Sequence, residues 1–151
     1  MIKTPLDWQG DTRRKPPRCL PIDCDETLMV AQIAEALLQR IDAIHIPFVA
    51  YVAEVRSGAM YYRSGRHPAR MLIPSWCFCE RSVKAEEGRR ATVHGHLIYY
   101  VAHELAHLYA GKDAAHGPKF MRVFKKLCPR DLQHYELSYK PRNAKAAGIS
   151  R

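Results

Sequence analysis

No apolar run in this chain approaches the roughly 20 residues that a membrane-spanning helix needs, which excludes a membrane protein of the helical kind. The opening stretch Met1–Gly10 lacks the hydrophobic segment of a secretory signal, so a cytoplasmic location is expected, with no membrane partner. Internal repeats and low-complexity tracts are missing as well, which argues against solenoid architectures. Cysteine is present but poorly arranged for metal: among Cys19, Cys24, Cys77, Cys79 and Cys128, no pair has the two-residue gap of a zinc knuckle. Cys77-Phe78-Cys79 would set two thiols on one face of a strand, too few for a metal site, and the five read as reduced structural thiols. Acidic residues are scarce, 15 against 24 Lys and Arg, which leaves a net charge of +9. The surplus gathers at Arg13-Arg14-Lys15, between Arg81 and Arg90, between Arg122 and Arg130, and from Lys140 to Arg151. Such an excess favours polyanionic partners such as nucleic acid, although no recognition motif accompanies it.

What remains is a chain of 151 residues with 47% apolar content, enough for one domain with a real core. One stretch names a chemistry: His103-Glu104-Leu105-Ala106-His107, followed by His116-Gly117. Residues four apart on a helix share a face one turn apart, so both imidazoles can reach one metal ion. A hydrolytic zinc site takes three protein ligands and keeps its fourth position for water. His116 is the candidate third ligand, and Glu104 is placed to act as the base. The preceding Leu97-Ile98-Tyr99-Tyr100-Val101-Ala102 is apolar and free of Pro and Gly, which predicts a buried helix over 92–110, capped by Thr92 and stopped by Gly111. Polar groups in such a helix need partners, and metal coordination supplies them. Coincidental spacing on a surface helix is the plain alternative.

Pro118 opens a second helix and Pro129 ends it, with Phe120, Val123, Phe124 and Leu127 on one apolar face. The residues between His107 and His116 include a turn-forming Ala-Gly-Lys-Asp, which lets this helix fold back and bring His116 to the metal. A solvated loop histidine is the alternative.

These residues, His103-Glu104-Leu105-Ala106-His107 with His116-Gly117-Pro118 and Phe120, resemble the SprT-like zinc metallopeptidases, which include the Spartan proteases. The YgjP-like metallopeptidases are similar but usually have a shorter gap to the third His. The likeness is specific over about 97–127, loose over 25–96 and absent from the first twenty residues. It implies a small gluzincin-like α+β fold, a short antiparallel sheet packed on an N-terminal helix and the active-site helix. It implies zinc held by His103, His107 and His116, Glu104 as general base, and cleavage of protein or peptide substrates, in several members DNA-associated ones. Many members carry a Cys-rich zinc ribbon or another DNA-binding segment after this unit, and the residues that follow it here are not expected to form one.

The rest of the chain divides into an extended arm over 1–21, a metallopeptidase domain over 22–140 and a basic tail over 141–151. Leu28, Ile33, Ala34, Leu37, Leu38, Ile41 and Ile44 predict a helix from Asp25 to about Ile44, with Asp23 and Glu26 as a capping box. Phe48–Val55, Met60–Arg63 and Ala69–Pro74 read as three strands joined by turns at Ser57-Gly58 and Ser64-Gly65-Arg66, an antiparallel meander. Lys84–Gly88 suggests a surface loop or short helical turn. Tyr135, His134 and Tyr139 are candidate donors to a developing oxyanion, if the segment after the second helix folds over the site. His96 shares a helix face with His103; lining the cleft is one reading, and exposure near the helix start is the expected one, while Trp76 is expected to be a core or cleft-wall residue. Two rival readings stand beside the peptidase: a non-catalytic zinc-containing nucleic-acid-binding module, and hydrolysis of some bond other than a peptide.

Overall fold

The spacing of Val30, Ile33, Ala34 and Leu37 produces a first helix, α1 (Asp25–Leu38), which buries those side chains together with Thr27. It begins a computed structural model that describes residues 17–136. The chain continues through β1 (Phe48–Ala53), β2 (Ala59–Tyr61), β3 (Ala69–Pro74), a 3-10 turn at Ser75–Phe78, α2 (Glu80–Glu87), α3 (Val93–Ala110), a short 3-10 turn at Lys112–Ala114, α4 (Pro118–Leu127) and a final 3-10 turn at Arg130–Tyr135. The fold is α+β, a small three-stranded sheet with several helices. Most of the expected arm and all of the expected basic tail lie outside the described residues. Of the arm, Arg18 to Leu20 lie along the end of β1, through Leu20 N–H to the Val52 carbonyl and Glu54 N–H to the Arg18 carbonyl, both 2.8 Å.

α1 is shorter than its apolar pattern predicted. Its last turn tightens, with Arg40 N–H reaching the Leu37 carbonyl and Ile41 N–H the Leu38 carbonyl, and Ile44 ends up 90% exposed. Leu28 falls off the buried stripe and is exposed. The expected capping box is absent too: Cys24 is the N-cap, and no side chain caps the helix.

The sheet is not a meander. Its order is β1-β3-β2; β1 runs parallel to β3, from Phe48 opposite Ala69 to Ala53 opposite Pro74, and β2 is antiparallel to β3. The Glu54–Gly58 link therefore carries the chain past the position of β3 rather than turning it back. Two strand spacings are about 10 Å, well within the reach of such a link. Side chains fix its path: Trp76 Nε1 donates to the Arg56 carbonyl at 2.8 Å, and Gly58 N–H donates to the Tyr100 hydroxyl at 2.7 Å. Gly58 is needed for room. A Cβ there would sit 2.5 Å from the Leu72 carbonyl oxygen and 2.6 Å from Cε1 of Tyr100. The sequence signal was a turn; the physical cause is close approach between strand link and helix.

The strands alternate in the usual period of two. Val52, Met71 and Ile73 join the main core with α1, α3 and α4, while Tyr51, Ala53 and Leu72 form a smaller cluster with Cys19 on the other face. Central to the main core is α3, which buries Leu97, Val101, Ala102, Leu105 and Ala106 completely. Thr92 caps it by accepting from Gly95 N–H at 3.1 Å, and Gly111 ends it at φ 96°. α4 begins at Pro118 and buries Phe120, Phe124 and Leu127. The Lys84–Gly88 segment is the end of a regular helix, α2. All five cysteines are free, with Cys77 buried in a 3-10 turn and Cys79 exposed, so the two do not share a strand face. Among the described residues no helix is long and apolar enough to cross a membrane.

Replacing Gly58 by Ala should destabilise the protein by about 1–3 kcal/mol, because the methyl group meets backbone on one side and a packed ring on the other. Urea unfolding of the variant against the parent is the check, and an unchanged midpoint would contradict the close approach.

Candidate metal centre

α3 sets His103 and His107 one turn apart on a helix whose other faces are buried, so neither ring can leave without dragging the core. His116 comes from the loop ahead of α4. The 3-10 turn at Lys112–Ala114 reverses the chain, and Ala115 takes φ 46° and ψ −126°, a conformation that residues with a Cβ rarely adopt. Strain of this kind costs about 1–3 kcal/mol and collects at functional sites. The result is that His116 reaches the α3 pair from the side.

The three Nε2 atoms face one another. His103 to His107 is 3.2 Å, His103 to His116 is 3.3 Å, and His107 to His116 is 3.0 Å. A tetrahedral ion with metal–nitrogen bonds of about 2.0–2.1 Å needs its nitrogen ligands about 3.3–3.4 Å apart. An octahedral ion at ~2.1 Å needs neighbouring ligands about 3.0 Å apart. The observed triangle lies in this narrow range, so the three histidines are close enough to hold a metal ion. Spacing alone does not select the metal.

Phe120 supports all three rings. It is fully buried, and its ring centroid lies 5.1, 4.6 and 4.9 Å from those of His103, His107 and His116. The aromatic residue that opens α4 is thus the apolar platform under the cluster.

Glu104 is 3% exposed and lines the same cleft of about 340 Å³ as His103 and His116. Burial pushes its carboxyl up to about 7; the His103 charge pulls it down, and the Glu136 charge adds to the rise. A cation at the three nitrogens would draw it back down. Burial holds His107 down to about 4, helped by repulsion from the other two rings, and burial with repulsion from His103 lowers His116. Both are therefore neutral and ready to donate a lone pair. At His103 burial works in the lowering direction, but a hydrogen bond to Glu136 and the charges of Glu104 and Glu136 outweigh it, so this ring is raised.

The other expected site residues divide. Tyr135 lines the cleft and is buried. His134 is exposed and hydrogen-bonds the Asp131 carbonyl through Nδ1 at 2.9 Å, away from the cluster. Tyr139 lies outside the described residues. His96 is a correction: it is 2% exposed and not a surface residue. It packs against Trp76, Tyr99, Tyr100 and Tyr135, with ring centroids 5.4–5.7 Å away, and forms part of an aromatic wall beside the metal cluster. Trp76 is on that wall, as expected for a cleft residue.

Two residues escaped the sequence reading. Tyr62 donates its hydroxyl to the His107 carbonyl at 3.1 Å and ties the chain after β2 to α3. Glu136 is fully buried and hydrogen-bonded to Nδ1 of His103. Neither stands at a motif spacing from the histidines, and only tertiary packing connects them. A larger cleft of about 560 Å³ between α1 and β1 includes Glu35 and His45, yet no group of metal-ligating side chains converges there among the described residues.

Comparisons with family models, curated proteins and solved structures return no match for this chain.

A divalent metal that binds this cluster should stabilise the fold. Metal at a hundred times its dissociation constant adds about 2.7 kcal/mol, which thermal unfolding with and without a chelator will detect. His107→Ala should abolish the gain. Equal melting temperatures for stripped and metal-treated parent protein would show that the three rings do not take up an ion.

Proposed function

We propose that this protein is a zinc-dependent metalloendopeptidase of the SprT-like kind, with a gluzincin-like catalytic unit. The observation that carries the reading is the convergence of three imidazole nitrogens with one buried carboxylate, Glu104, that lines the same cleft as His103 and His116. Three imidazoles suit zinc, and a structural zinc site usually closes with a fourth protein ligand. No fourth ligand belongs to this group among the described residues. Zinc, when bound, supplies Lewis acidity that polarises a carbonyl and brings a water into the neutral titration range.

The chain's own residues do the remainder. His103, His107 and His116 hold the ion through Nε2. Glu104 takes a proton from the attacking water on its carboxylate and delivers it to the nitrogen of the departing amine. Burial raises its affinity for a proton and a bound cation would lower it, the opposed pulls that a shuttle of this kind balances. The wall of Trp76, His96, Tyr99 and Tyr100 bounds the cleft on one side and restricts solvent there.

Substrates are proteins or peptides in an extended form. The charge of +9, with Arg122, Lys125, Lys126 and Arg130 exposed along and after α4, supports a nucleic-acid partner and DNA-associated substrates. The same charge favours a second reading, a zinc-containing nucleic-acid-binding module without catalysis. A buried acid beside the ligands serves no purpose in that module and imposes a desolvation cost.

Glu104→Gln separates the two. The variant should keep its zinc content while cleavage of an unfolded protein falls about 10²–10⁴-fold. Undiminished cleavage would remove Glu104 from the mechanism, and an inactive parent, assayed with and without DNA, would favour the binding module.

A further inference from the structure

Each histidine in the cluster has two ring nitrogens, and a metal uses one. For His103 the structure shows what the other does. Nε2 meets the rings of His107 and His116, and Nδ1 meets Oε1 of Glu136. Glu136 follows the final 3-10 turn and is 2% exposed. Tyr99, one helical turn before His103, donates its hydroxyl to the same carboxylate oxygen at 3.4 Å. The final turn packs against α3, and that packing alone delivers the acid to the ring.

We propose that Glu136 is the positioning residue of the metal centre: it fixes the proton of His103 on Nδ1 and so presents Nε2 as a lone pair aimed at the ion. This rests on the metal-binding reading of the three histidines but does not require peptidase activity.

An ionised carboxylate only accepts hydrogen bonds, so the nitrogen that faces it must carry the proton. A neutral imidazole has a single N–H, and the opposite nitrogen is then free to ligate. The contact also stops the ring from rotating about its terminal torsion, which is otherwise soft. The Tyr99 hydroxyl holds the carboxylate in turn, giving a chain from Tyr99 to Glu136 to His103. Glu104 cannot take this role although it is adjacent in sequence, because it lines the cleft where the water and substrate must be. The two buried acids thus divide the work, one behind the ligand and one in front of the reacting atoms. Partners of this kind on a ligating histidine raise its basicity, and their loss costs about 10–100-fold in metal affinity.

The test uses the full chain, stripped of metal and titrated with zinc against a chromophoric chelator. Glu136→Ala should bind zinc about 10–100-fold more weakly than the parent. Glu136→Gln retains a carbonyl that can accept the same proton and should recover most of that loss. Long-range ¹H–¹⁵N spectra of the metal-free parent, recorded at a pH where the His103 ring is neutral, should show its proton on Nδ1, and the Gln variant should keep it there. These spectra decide the matter even if the Ala variant fails to fold. A His103 proton on Nε2 in the parent, or zinc affinity untouched by Glu136→Ala, would overturn the proposal. A parent that takes up no zinc would overturn the metal reading beneath it, an outcome distinct from either.

Discussion

Three imidazole nitrogens held 3.0–3.3 Å apart cannot be left to themselves. If all are neutral, at least one pair opposes two lone pairs or two N–H groups; if two are charged, like charges meet in a partly buried cleft. The packing of α3, α4 and the turn between them supports this arrangement at a cost. A cation in the centre resolves it. The fold is best understood as a frame that keeps these rings from escaping: Phe120 beneath, α3 behind, Glu136 at the back of one ring and the Tyr62 hydroxyl on the helix carbonyl of another.

Buried carboxylates are expensive, and this small core has two near the same ring. The expense is tolerated because each acid meets a different need. Glu136 is paired and locks geometry. Glu104 lines the cleft, and its burial raises its proton affinity. Contact with the ring, and not proximity in sequence or depth of burial, is what distinguishes the two roles, since the acid next to His103 in the chain is not the one that touches its Nδ1.

The helix that bears two of the histidines and the helix that follows the third were legible in the sequence, down to the Thr92 cap, the Gly111 stop and Pro118 at the start of α4. These are local signals, and local signals are written in neighbouring residues. The antiparallel meander was misread because Gly58 looked like a turn residue, when its small size serves contact with Leu72 and Tyr100. His96 was misplaced because a polar residue near a helix start is ordinarily wet, whereas here four aromatic rings enclose it. Glu136 could not be found at all. Nothing in a linear pattern tells a buried acid in a final turn which side chain from a distant helix it will meet.

The ligands are unequally mounted. Two ride on one rigid helix, while the third hangs from a loop whose Ala115 backbone is under strain. Of the three rings, His116 is therefore the one freest to move, and it lies on the exposed side. An ion held by all three would tie the loop ahead of α4 to α3, and so would act as a latch between two parts of the core.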